Sequence, residues 1–386
     1  MNREKFNVGT YYLKPYACTK EHVKDLKDCG IDFVVCAEND KDALDLFSEY
    51  GVGAIVSGVV PSWWGGKTEN AGKMHELNNL KLYVDAAETF IPHQAIWGID
   101  CGDEPSATDF EHCGKIIDFV NQNFQNRFAY LNLPANYGIN ASSTQKETEK
   151  QLGTKSYEEY IKSYCKNVKT DYICFDFYPY SASVKAFYEN LCTVSDACRK
   201  HGRSMWTVLQ VNSSLPEESL SENNLRFQAY SAMAYGAECI IWACYCPGWW
   251  HHNVLDENGN KTQMYEKLRK VNEEVKNLAL EYMKYKVVST HHRKKESMVG
   301  LFKNFQCDNE VIVSELAPKS EGDNAVFIFS ASDPYDNNPQ KTLCTFSSDA
   351  KSIILIGKNG KETIYPQNNL YSITISSNEA ILLVCN

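Results

Sequence analysis

Over its first three-quarters the chain alternates two kinds of hydrophobic pattern. Short apolar runs, rich in β-branched and aromatic residues, occupy Phe6–Leu13, Asp32–Ala37, Gly53–Val60, Ala95–Asp100, Arg127–Leu133, Asp171–Tyr178, Ser204–Val211 and Glu238–Tyr245. Each has the length and composition of a buried strand. Between them lie segments with apolar residues three or four apart: Thr19–Cys29, Lys41–Tyr50, Asn70–Thr89, Ala107–Asn123, Tyr157–Lys166, Ser183–Lys200 and Leu220–Tyr235. An eighth follows at Thr262–Lys284, where Met264, Leu268, Val271, Val275 and Leu278 fall on one helical face. Strands alternating with helices predict βαβ units and a parallel sheet. Eight such units in about 285 residues match the size of a (β/α)8 TIM barrel. A doubly wound sheet is the alternative, disfavoured by the count of eight and by the lack of a Gly-x-Gly-x-x-Gly turn.

From about residue 287 the pattern becomes short alternating strands separated by Asn, Asp, Gly, Pro and Ser: Glu310–Leu316, Ala325–Ser330, Lys341–Thr345, Ser352–Ile356, Lys361–Tyr365, Leu370–Ile375 and Ala380–Val384. That is the pattern of a small all-β sandwich. The expected organisation is a barrel over 1–286 and a C-terminal β-sandwich domain over 287–386. The basic stretch His291–Lys295 at the join reads as a solvated linker or strand start.

Composition narrows the class. A net charge of −10 argues against nucleic acid or an anionic membrane as the main partner. No run is long and apolar enough to span a bilayer, and Met1–Phe6 is followed by no signal-peptide core. The fifteen cysteines are scattered, several within apolar strands (Cys36, Cys174, Cys239, Cys244), and no Cys-x-x-Cys pair occurs. They read as reduced thiols in a cytoplasmic protein, or in a secreted one whose leader has been removed, and not as a disulfide or zinc framework.

In a (β/α)8 barrel the strands present their C-terminal ends to ligand, so the residues ending each run are the candidates. The fourth run ends Trp97-Gly-Ile-Asp-Cys-Gly-Asp103-Glu104-Pro105, two adjacent carboxylates after a glycine and before a proline. Adjacent like charges are costly unless the surroundings separate their pKa values, which is what acid–base chemistry requires. The plain structural reading is a helix first turn, where acids favour the dipole. Other strand ends supply Tyr11, Asn132, Asp176, Tyr178, Gln210, Trp242 and Tyr245, and adjoining loops supply Trp63, Trp64, Trp249 and Trp250. Aromatic faces stack on sugar C–H groups, while amides and carboxylates hydrogen-bond hydroxyls. This mixture predicts a carbohydrate substrate and calls for no cofactor. His251 and His252 are adjacent and lack an evident third ligand, so no metal is expected.

Gly102-Asp-Glu-Pro105, Asp176-Phe-Tyr-Pro179, Trp206-Thr-Val-Leu-Gln210 and Leu225–Ala237 together resemble the bacterial (β/α)8 glycoside hydrolases of the β-galactosidase-like superfamily. The resemblance implies that Glu104 is the general acid/base. It also exposes a departure, because Asp103 stands where that superfamily usually has Asn, and Gln210 lies near the usual place of a nucleophilic Glu. Two schemes remain. Asp176 can be the second carboxylate, as nucleophile or as base for water. Alternatively, a partial likeness to bacterial β-N-acetylgalactosaminidases, which also carry Asp-Glu-Pro, implies that Asp103 orients a substrate acetamido group as nucleophile. A reading of a different class is a non-catalytic carbohydrate-binding protein on a degenerate barrel.

Overall fold

Each of the eight apolar runs forms a strand in the computed structural model: β1 (Asn7–Tyr11), β2 (Phe33–Glu38), β3 (Gly53–Ser57), β4 (Ile96–Asp103), β5 (Phe128–Leu133), β6 (Tyr172–Asp176), β7 (Ser204–Gln210) and β8 (Ala237–Ala243). They close in sequence order into a barrel, β8 returning to pair in parallel with β1. The structure describes residues 1–386 apart from 62, 67, 78, 139, 294–296, 300, 336–339 and 386. The helices are α1 (Lys20–Asp28), α2 (Lys41–Tyr50), α3 (Met74–Leu77), α4 (Leu80–Thr89), α5 (Phe110–Asn123), α6 (Gln145–Leu152), α7 (Tyr157–Asn167), α8 (Val184–His201), α9 (Glu222–Ala234) and α10 (Gln263–Tyr282).

The chain forms two compact units. One comprises Met1, Asn7–Ser219 and Cys239–Arg269, the other Asn2–Phe6, Leu220–Glu238 and Lys270–Asn386. In the first, alternation along the strands sends Tyr11, Phe33, Val35, Ile55, Tyr130, Tyr172 and Trp206 into the barrel, where they form one buried cluster. Tyr172 and Trp206 stack there at 4.1 Å. Helix starts are set by side-chain caps: Thr19, Asp40, Ser156 and Ser183 each accept a first-turn N–H.

Two helical segments differ from the sequence expectation. The single helix expected over Asn70–Thr89 is divided into α3 and α4. Buried Asp109 accepts the N–H groups of Gly72 and Met74 at the start of α3, and Asn79 caps α4 by accepting from Lys81. Helix α6 was not expected. Its Thr144–Glu147 capping box was legible, but the segment is too polar to show a hydrophobic stripe.

The second unit holds the C-terminal strands β9 (Tyr285–Arg293), β10 (Ser297–Val299), β11 (Phe302–Cys307), β12 (Val311–Pro318), β13 (Ala325–Ser330), β14 (Lys341–Ser347), β15 (Ile353–Gly357), β16 (Gly360–Ile364), β17 (Tyr371–Ser376) and β18 (Ala380–Cys385). A four-stranded sheet (β10-β11-β14-β17) and a six-stranded sheet (β16-β15-β18-β13-β12-β9) share a core that includes Phe302, Phe305, Val313, Ile328, Phe346 and Leu383. This is the expected sandwich, with β9–β11 as strands beyond those the pattern predicted. His291–Arg293 of the basic stretch lie within β9; Lys294 and Lys295 are outside the described residues. None of the fifteen cysteines forms a disulfide, and Cys192 on α8 alone among them is exposed, the others being buried or half-buried. No helix among the described residues is long and apolar enough to cross a membrane.

Candidate active site

The end of β4 departs from ordinary strand geometry, and the departure builds the site. Asp100 points into the barrel, where one carboxyl oxygen accepts the Ser57 hydroxyl proton (2.7 Å) and the other accepts the Gly102 N–H (3.2 Å). Gly102 has φ +131°, and a Cβ there would lie 2.9 Å from the Trp63 carbonyl oxygen. Only glycine suits that conformation and that approach. The next N–H, of Asp103, donates to this same carbonyl (2.8 Å), and Gly65 N–H donates to Asp103 O (2.8 Å). The Trp63–Gly65 loop therefore extends the barrel edge beside the end of β4. Glu104 follows with φ +50°, its N–H donating to Asn132 O (2.9 Å).

Successive strand residues ordinarily face opposite sides. Here Glu104, with its positive φ, departs from that alternation, and the charges of Asp176, at the end of β6, and of Asp103 both act on its carboxyl. Asn132 on β5 links the set, its amide Nδ2 donating to Asp103 Oδ1 (2.9 Å) and to Asp176 Oδ1 (3.3 Å). Its Oδ1 accepts the Cys174 thiol (3.4 Å), so the amide orientation is fixed. Below it, Cys174 joins Tyr130 (3.4 Å) and Tyr130 joins Tyr11 (2.8 Å), a polar chain running into the barrel interior. The carboxyl of Glu104 accepts the Trp64 indole N–H on Oε2 (2.8 Å).

Among the described residues, no Lys, Arg or His acts on any of the three carboxylates. Burial is the main cause raising each pKa, and the charge of a neighbouring carboxylate adds to it. Asp103 is pushed up to about 7 by burial, the Asn132 hydrogen bond opposing and the Asp100 charge adding. Asp176 is pushed up to about 8 by burial and then by Asp103. Glu104 is driven well above the usual carboxylate range by burial, then by Asp176 and then by Asp103, with the Trp64 hydrogen bond opposing. The site can hold protons on carboxyl groups near neutral pH, as a general acid requires.

The remaining candidates divide. Tyr178 and Trp250 meet edge to face (4.9 Å), and Trp249 meets Tyr12 (5.7 Å), each pair partly exposed. The Asp176 charge acts on Tyr178. Trp64 is 47% exposed and Trp63 only 6%. Tyr11 is committed to the interior polar chain. Gln210 is buried, its Nε2 donating to Asn212 O (2.9 Å) and its Oε1 accepting Tyr180 N–H (3.2 Å), so it braces loops. Trp242 and Tyr245 have no exposed surface. Trp242 alternates with the inward Ile241 and Ala243, and the neighbours acting on Tyr245 are Cys29, Tyr265 and Asp25 of the helical layer. His251 and His252 are exposed, and no metal-holding cluster occurs among the described residues.

Tyr12 and Tyr137, which follow the ends of the first and fifth apolar runs, join the candidates, and Asp100 is a contributor that the sequence reading missed. Tyr12, with φ +56°, and Tyr137 both feel the cluster's charge, Tyr12 that of Asp103 and Tyr137 those of Asp176 and Glu104. Asp100 carried the one usable signal, a carboxylate inside an apolar strand.

No family model and no curated protein matches the chain. Solved structures do. A structure described as a glycoside hydrolase aligns with TM-score 0.56 and 11% identity over 99% of this chain and 92% of its own. An Anoxybacillus α-amylase aligns with TM-score 0.55 and 10% identity over 100% and 99%. A candidate α-L-fucosidase from Bacteroides thetaiotaomicron aligns with TM-score 0.51 and 13% identity over 70% and 94%. At these identities the likeness is one of fold.

Proposed function

We propose that the protein is a glycoside hydrolase acting on a glycan or oligosaccharide, with Glu104 as general acid/base and Asp176 as the second carboxylate. The observation that carries this reading is that Asn132 Nδ2 donates both to Asp103 Oδ1 (2.9 Å) and to Asp176 Oδ1 (3.3 Å), which sets a carboxyl from the end of β6 beside the acid pair that ends β4. Two carboxyl groups from different strands thus work against each other, which separates a protonated acid from an ionised partner. The partly exposed aromatic rings of Trp64, Tyr178, Trp249 and Trp250 suit a sugar, and the glycosidase names of the structural neighbours agree. Glu104 protonates the leaving oxygen as the anomeric C–O bond breaks, and its bond electrons pass to that oxygen. Asp176 then attacks the oxocarbenium-like centre or activates the water that does.

A second reading is favoured by Asp103, whose carboxyl is held by Asn132 and whose charge also acts on Glu104. Asp103 then orients the substrate's 2-acetamido group as the nucleophile, and Glu104 remains the acid. A panel of 4-nitrophenyl glycosides with and without a 2-acetamido group separates the two. Asp176→Asn abolishes turnover of sugars lacking the group if the first holds. Cleavage confined to acetamido sugars, with Asp103→Asn as damaging as Glu104→Gln, establishes the second. Sugar binding with no turnover across the panel leaves a carbohydrate-binding protein.

A further inference from the structure

Trp64 is an aromatic residue bound directly to the Glu104 carboxyl. Its indole N–H is committed to Glu104 Oε2 at 2.8 Å, while 47% of the residue stays exposed. Trp63, next to it, is buried. Trp64 is firmly held. Its backbone bridges to Asp103, its carbonyl accepts the Asn70 amide (3.1 Å), and its ring lies over Gly66, where a Cβ would fall 2.2 Å from the indole.

We propose that Trp64 is the positioning residue for Glu104 and the specificity-determining floor for the leaving-group sugar. The inference rests on the reading of Glu104 as the acid. A protonated carboxyl has one acceptor-type oxygen and one hydroxyl. With Oε2 occupied by a donor, the proton resides on Oε1. It passes from Oε1 to the glycosidic oxygen as the C–O bond breaks toward that oxygen, leaving Glu104 as a carboxylate. The Nε1–H···Oε2 bond then becomes charge-assisted and stronger than in the ground state. The exposed ring lies beside the proton donor, so the group receiving the proton rests on it.

The test compares Trp64→Phe and Trp64→Ala with the parent on three substrates of one sugar: the 4-nitrophenyl glycoside, the methyl glycoside and a disaccharide. Trp64→Phe keeps the face and loses the N–H. It should lower kcat/KM about tenfold or more on the methyl glycoside, the scale of a hydrogen bond to a charged group, and spare the nitrophenyl glycoside, whose leaving group needs little protonation. The alkaline limb of its pH profile should move to higher pH, because the charged carboxyl has lost a donor that favours it. Trp64→Ala should add a rise in KM on the disaccharide alone. An unmoved alkaline limb, or equal losses on methyl and nitrophenyl glycosides, overturns the proposal while Glu104→Gln remains inactive. A Glu104→Gln enzyme that still cleaves the methyl glycoside overturns the reading of the acid as well.

Discussion

Glu104 occupies a left-handed backbone conformation, φ +50°, which costs a non-glycine residue on the order of 1–3 kcal/mol. Two contacts compensate, its N–H on Asn132 O and its carboxyl under the Trp64 indole. Replacement by Gln keeps size and hydrogen bonding but supplies no proton. Glu104→Gln should lower kcat by roughly 10²–10⁴ on substrates with poor leaving groups and much less on nitrophenyl glycosides, as steady-state rates on matched pairs will report. The adjacent tryptophans should separate by thermal melting. Trp63→Ala, at a buried side chain, should cost ~3–5 kcal/mol of stability. Trp64→Ala should leave the melt nearly unchanged and act on kinetics.

The eight strands and most helices were legible in the sequence because burial inside a barrel imposes a clean hydrophobic period on each element. The acid pair was also legible, as Asp-Glu-Pro at a strand end. Its geometry was not: strand alternation alone points Asp103 and Glu104 apart, and the turn that begins at Gly102 and ends in the positive φ of Glu104 departs from that alternation. Trp242 and Tyr245 illustrate the converse, since proximity in sequence to a strand end does not say which face a side chain takes. Gly102→Ala should therefore cut activity at least tenfold, because the new Cβ must displace the Trp63 carbonyl and with it the loop carrying Trp64. It should also cost about 1–3 kcal/mol of stability, read by denaturant titration. At α6, whose polar sequence gave no stripe, Thr144→Ala removes a capping box and should cost ~1 kcal/mol, seen as faster hydrogen exchange over Gln145–Leu152.

The whole molecule carries the cost of gathering unpaired carboxyl groups. Their folded pKa values lie above the unfolded ones, which are about 4, so the folded state holds protons that the unfolded chain releases. That stability is fully present below about pH 4 and is lost as pH rises through the folded values, about 7 for Asp103 and about 8 for Asp176. The protein should melt at progressively lower temperature between pH 5 and pH 8.5. Asp176→Asn should flatten that slope, gaining about 1–3 kcal/mol at pH 8.5 and almost nothing at pH 4. An Asp176→Asn melt that parallels the parent across this range would show that the cluster is not what destabilises the alkaline form.

The distribution of thiols gives the chain a chemical handle. Fourteen cysteines are buried or half-buried, while Cys192 on α8 is exposed. Burial and the Asp196 charge raise its pKa, so alkylation is slow at neutral pH and quickens in mild alkali as thiolate forms. A maleimide fluorophore or surface tether should therefore attach mainly at one defined point. That point lies in the helix following the strand that carries Asp176, available without engineering a cysteine-free background.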